Sequence, residues 1–251
     1  MGSLEYAQAR LSSRFGERAD DVAWRKLEHV REFAALVDVA RNSALRIWIG
    51  GISAVSTPHE IESVLREHWR AHVAEVARWM PESWRDAVLW CAFAPDLSVV
   101  AHLARGHRSL RWMREDPVYR DLVDAGPGAC PAALGAGPLA PLTAGWSDPG
   151  RIVALWRAEW ERRAPADGDP ALRADLGRAL AVHLATFHDP AVKDGWPLRR
   201  SLQARLTLLF RRAMLDPVAA FAYLALIALD LERLRGELLR RAAFPGLPLV
   251  A

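Results

Sequence analysis

The side chains best suited to chemistry sit on one predicted helix. His68 and His72 are four residues apart and Glu75 follows about one turn on, so three potential metal ligands could share a face. Filled, such a set would make a metal-dependent helical enzyme. The spacing departs from the zinc-hydrolase pattern His-Glu-x-x-His, where a glutamate base lies between the ligands. Here the intervening residues are Trp69, Arg70 and Ala71, and Arg70 adds a cation. His59-Glu60 has no second histidine, and His183 and His188 flank a predicted helix end before Asp189-Pro190, where an imidazole stabilises the helix dipole. These histidines read as solvent-facing or packing residues, and no metal or other cofactor is assigned.

Nucleophilic and phosphate chemistry find no foothold. The chain has no Gly-x-Ser-x-Gly elbow, and Cys91 lies in an apolar run with nothing nearby to lower its pKa. Gly50-Gly51 is not a P-loop, and Gly126-x-Gly128 is not followed by Lys-Ser/Thr. No catalytic or cofactor-binding residue is therefore predicted. Cys91 and Cys130 are the only cysteines, and they form neither a disulfide framework nor a zinc spacing. With an N-terminus that carries Glu5, Arg10 and Arg14 instead of an apolar signal core, the expectation is a reducing cytoplasm.

Charge is unevenly distributed. The chain carries 33 Lys+Arg against 30 Asp+Glu, and all but Lys26 and Lys193 of the basic residues are arginine. Residues 196–251 hold nine arginines and four acids, a balance of +5 that leaves 1–195 at −2. The arginines alternate with Leu and Phe as on amphipathic helices, so a solvated helix face is the simplest reading, with nucleic acid, anionic lipid or an acidic protein surface as the alternatives. Nucleic-acid binding ranks low, since acids nearly offset bases and no helix-turn-helix signature stands out.

The elements that position these residues are helices. Asp-Pro at 116, 148, 169, 189 and 216, and the capping box Thr57-Pro58-His59-Glu60, mark six helix starts. Between them apolar residues recur at three and four, as in Ile61, Val64, Leu65, Trp69, Val73 and Val76. An all-α protein of roughly eight to ten helices follows, with Leu45 to Ile52 as a possible extended turn around Ile47, Ile49 and the paired glycines. Ala125 to Ser147 is uncharged for 23 residues, but nine of these are Gly or Pro. It reads as a linker or long loop (125–147) and not as a membrane span, dividing an N-terminal helical lobe (1–124) from a C-terminal one (148–251). Pro217 to Leu229 is too short to span a bilayer and suits a helix buried on all sides. Ile61 to Trp69 and Ile152 to Trp160 faintly echo one another, and Trp69, Trp79, Trp84, Trp90, Trp156 and Trp160 are expected at helix interfaces.

Two stretches carry a family resemblance. Asp216 to Pro248 starts as an apolar helix, runs into Glu232-Arg-Leu-Arg235 and closes on Phe-Pro-Gly246-Leu-Pro. The N-terminal part contributes Tyr6-Ala-Gln-Ala-Arg10, Leu36, His59-Glu-Ile-Glu62 through Leu65, Pro81, and Asp96-Leu to His102-Leu103. In order and spacing these pieces, about half of the chain, resemble the C/d family of the A-type and V-type rotary ATPases, the central-stalk socket subunits. The resemblance implies a multi-helix array and a non-catalytic socket role. Its partners would be the rotor shaft subunits and the membrane proteolipid ring, met at the cytoplasmic face of the membrane as a peripheral protein. It implies structural roles for Tyr6, Arg10, Glu232, Arg235 and Gly246, with Glu232 and Arg235 able to pair on one helix face. The chain is shorter than typical members, and the Gly/Pro segment falls where a middle module would lie. A stand-alone helical scaffold that kept the fold without the ATPase is the alternative.

Overall fold

Three of the six expected helix starts, at Thr57, Asp169 and Asp216, open an α-helix in the computed structural model, which describes residues 2–126, 130–187 and 194–244. Fourteen α-helices are present among them and no strand. They are α1 (Leu4–Gly16), α2 (Asp21–Glu28), α3 (Phe33–Arg41), α4 (Arg46–Ile49), α5 (Pro58–Trp79), α6 (Glu82–Trp90), α7 (Leu97–Ala104), α8 (Arg111–Glu115), α9 (Arg120–Asp124), α10 (Cys130–Ala136), α11 (Ile152–Arg163), α12 (Pro170–Phe187), α13 (Trp196–Arg212) and α14 (Val218–Ala243). Short 3₁₀ segments cover Cys91–Asp96, Ala140–Gly145 and Pro149–Arg151.

The predicted capping box is complete. Thr57 Oγ1 accepts from Glu60 N at 3.3 Å and Thr57 N donates to the Glu60 carboxylate at 2.7 Å, satisfying donors that a helix N-terminus otherwise leaves open. α12 begins at Pro170 behind Asp169, and Asp216 accepts from both Val218 N (2.8 Å) and Asp169 N (2.7 Å), so one carboxylate anchors the starts of α14 and α12 together. Asp148-Pro149 opens the 3₁₀ segment that leads into α11. Asp116 differs from expectation: it terminates α8, and its carboxylate accepts from Val118 N in a local turn. Asp189-Pro190 lies outside the described residues.

Two helices organise the rest. α5 turns Ile61, Leu65, Trp69, Val73 and Val76 inward and packs against α14, α6, α1, α8 and α4. α14 opens with a fully apolar run, and Val218 to Leu224, Leu226 and Ile227 are buried, as a helix apolar on all sides requires. Helix α1 lies against both, with Phe15 stacked on Phe210 of α13 at 4.6 Å between centroids. The tryptophans expected in the core at 69, 79, 84, 90 and 160 are buried, and Trp156 is half-buried.

Two segments differ from their predicted form. Leu45 to Ile52 is the single helical turn α4 followed by Gly51 at φ +83°, not an extended turn. The expected linker 125–147 is largely helical where it is described, with α10 packed on α9 and on the Ala140–Gly145 segment. Pro131 and Pro141 sit in first turns, where a missing N–H costs nothing. One buried apolar cluster joins residues from both sides of this segment, through α14 on α5 and α11 on α6. Among the described residues only Glu82–Ala104 is long and apolar enough to cross a membrane; half of it is buried, and a 3₁₀ segment containing Pro95 interrupts it.

Candidate functional site

The three candidate ligands on α5 are each committed elsewhere. His68 Nε2 lies 2.9 Å from the Gly50 carbonyl, on the outer side of the helix. His72 is buried between the Trp48 ring, edge-on at 5.2 Å, and Tyr223 of α14, whose hydroxyl shares a 3.0 Å hydrogen bond with His72 Nε2. With Tyr223 donating, the ring proton sits on Nδ1, which faces Glu75 Oε2 at 3.8 Å. Burial pulls the His72 pKa down to about 4, so the ring is neutral in the fold. Glu75 accepts from Arg14 at 3.0 Å and lies 3.9 Å from Arg10. No group of three or more His, Cys, Asp or Glu side chains among the described residues is arranged to hold a metal. Helical spacing aligns the Cβ atoms of His68 and His72, and the fold gives each imidazole a protein partner at Nε2, the Gly50 carbonyl and the Tyr223 hydroxyl.

The remaining candidates are placed as follows. His183 is half-buried on α12, where burial and the nearby Arg199 lower its pKa; His188 lies outside the described residues. Cys91 and Cys130 are free and buried, and burial pushes the Cys91 thiol up to about 12, the opposite of an activated nucleophile.

The residues singled out by the resemblance fall into two groups. Tyr6 is exposed on α1, while Arg10 lies over the Trp79 ring at 5.2 Å and so ties α1 to the end of α5. Glu232 and Arg235 do not pair with each other. Glu232 accepts from Arg199 of α13 at 3.0 Å, and Arg235 donates to Glu62 of α5. Their helical spacing allowed an intrahelical pair, but partners on adjacent helices outcompete it. Gly246 lies outside the described residues.

Further ties hold α14 along its length. Arg18, just after α1, makes a two-pronged contact with Asp230 at 2.7 and 3.0 Å, with both side chains about nine-tenths buried. Arg233 donates to Glu28 of α2 at 2.7 Å, and Arg241 donates to the carbonyls of Val30 and Glu28 at 2.6 and 2.9 Å. α14 is thus cross-linked by ion pairs or charge-assisted hydrogen bonds to α2, α5 and α13 and to the segments after α1 and α2.

A second network has no counterpart among the motifs of the sequence. Arg66 donates to Asp96 at 2.7 Å and lies over the Trp112 ring at 4.5 Å. Arg70 bonds Asp116 at 2.9 and 3.0 Å and reaches Asp96 at 3.4 Å. Asp96 and Asp116 are 1% and 2% exposed, so removing Arg70, the one cation paired with Asp116 among the described residues, would leave that buried charge uncompensated. The visible signal is the Glu62-Arg66-Arg70 stripe on one face of α5; its acidic partners come from distant segments.

A scan with protein-family models finds no match to this chain, and a comparison with curated proteins finds none either.

Proposed function

We propose that this chain is the non-catalytic socket of a V-type or A-type rotary ATPase, joining the foot of the rotor shaft to the membrane proteolipid ring. The observation that carries the reading is α14. The stretch that resembles the C/d family is also the axis of the fold, buried through its first half and tied to its neighbours through its second. A torque-bearing part must not yield, and stiffness of this kind follows from close packing and from charged pairs that fix one arrangement of the helices. In this reading Glu232 and Arg235 act by holding α14 against α13 and α5. The protein works on the cytoplasmic face of the membrane by shape and contact, and ATP chemistry belongs to other subunits.

Deleting the gene in the native host tests the role. The socket reading expects ATP-driven ion uptake by inverted membrane vesicles to be abolished while ATP hydrolysis persists in the detached soluble sector. Unchanged ATP-driven uptake would overturn it. A stand-alone helical scaffold is the second reading, favoured by the single apolar core that joins residues from both sides of 125–147.

A further inference from the structure

Helix α13 carries five arginines and no carboxylate. Arg199 is taken by Glu232, and Arg212 reaches Asp175 of α12 at 3.3 Å. Arg200, Arg205 and Arg211 are exposed and form no ion pair with any described residue. Of the basic excess in the last fifth of the chain, this is the portion left uncompensated, and it is concentrated on one helix face.

The face has an order. Leu202, Leu206, Leu209 and Phe210 turn inward. On the opposite side Pro197, Ser201, Ala204 and Leu208 recur at spacings of four, three and four, and all are exposed, Leu208 by 59%. That is the rhythm of a helix–helix seam. At about 100° per residue, Arg200 and Arg211 line one side of the seam and Arg205 and Arg212 the other. The arginines therefore stand where flanking charges select a partner in paired helices.

We propose that the outer face of α13 docks a helix of a partner protein whose own apolar stripe is flanked by Asp or Glu. The charge pattern demands an acidic occupant, and the guanidinium fork matches carboxylates two bonds at a time. A protein helix fits better than a lipid surface. A helix lying in a membrane presents large apolar side chains to the bilayer, whereas the large side chains of α13 are mostly spent on the core and its outer seam holds Ser201 and Ala204, which allow close backbone approach. Docking at this face goes beyond the socket role and does not require the partner to belong to an ATPase.

The test places a photo-reactive phenylalanine analogue at Ala204 of the full-length protein in its native host and maps the cross-linked residue by mass spectrometry. The expected result is a cross-link into a helical protein segment with acidic residues beside an apolar stripe. The yield should fall at least about tenfold in a variant carrying Arg200→Glu, Arg205→Glu and Arg211→Glu, with its circular dichroism and Tm unchanged. Cross-linking to lipid or to a basic or non-helical segment, no cross-link, or an unchanged yield in a folded triple variant would overturn the proposal. A mapped acidic helix from a protein outside any rotary ATPase would sustain it and count against the socket reading. A chain that purifies with a rotary ATPase but does not cross-link at position 204 would do the reverse.

Discussion

His72 makes the stability of this protein depend on pH in a calculable way. The imidazole is buried against Trp48 and Tyr223, and the charged groups facing it are Glu75, at 3.8 Å and favouring its protonation, and Arg14, opposing it. Burial outweighs both and lowers the pKa from 6.5 to about 4. Between these values the unfolded chain holds a proton that the folded one refuses, so stability falls as pH falls. The contribution is whole above about pH 6.5, reduced by about 2 kcal/mol at pH 5, and gone near pH 4, where the loss totals about 3 kcal/mol. His72→Gln keeps a polar partner for Tyr223 and removes the titration. Urea unfolding of both proteins across about pH 4 to pH 7 supplies the assay, and the difference between the two curves cancels every other titrating group. A difference that changes by less than about 0.5 kcal/mol over that range would refute the claim that a neutral His72 is locked in the core.

Other outcomes follow from single contacts. Arg18→Ala leaves Asp230 buried without its cation and should cost about 3–5 kcal/mol in urea unfolding, whereas Arg235→Ala, whose buried partner Glu62 keeps Arg66 at 3.8 Å, should cost less, about 1–3 kcal/mol. A Cβ at Gly145 would stand 2.6 Å from Ile152 Cγ1 and 3.1 Å from Leu155 Cδ1, and since Ile152 is buried, Gly145→Ala should lower stability by about 1–3 kcal/mol. Leu215 adopts φ +58° in the turn between α13 and α14, a conformation costly for a branched side chain, so Leu215→Gly should raise stability by up to about 1 kcal/mol in the same assay.

What the sequence made legible was local. The Thr57 capping box, the Asp169 and Asp216 starts, the all-round apolar opening of α14 and the burial of the helical tryptophans all follow from side chains acting within a turn or along one face. What it hid depends on distance or competition. Asp96 and Asp116 meet Arg66 and Arg70 across 26 to 46 residues, and Arg18 meets Asp230 across 212; no spacing rule reaches so far. Glu232 and Arg235 satisfy a spacing rule and still choose partners on other helices. Pro131 and Pro141 read as breakers although each begins a helical turn, because proline punctuates a helix at its start as readily as at its end. His68 and His72 illustrate the limit for chemistry, since a shared helix face does not reveal that each Nε2 meets a partner on another segment, Gly50 and Tyr223.

The central claim is that this chain is a coupling part, and its partners decide it. The most direct measurement is affinity purification of the tagged full-length protein from detergent-solubilised membranes of its native host, with every co-purifying protein identified. The socket account predicts rotor-shaft and membrane-ring subunits in fixed proportion at low salt, with the shaft contact weakening as salt rises. Recovery of the protein alone, or with partners unrelated to any rotary ATPase, would contradict it.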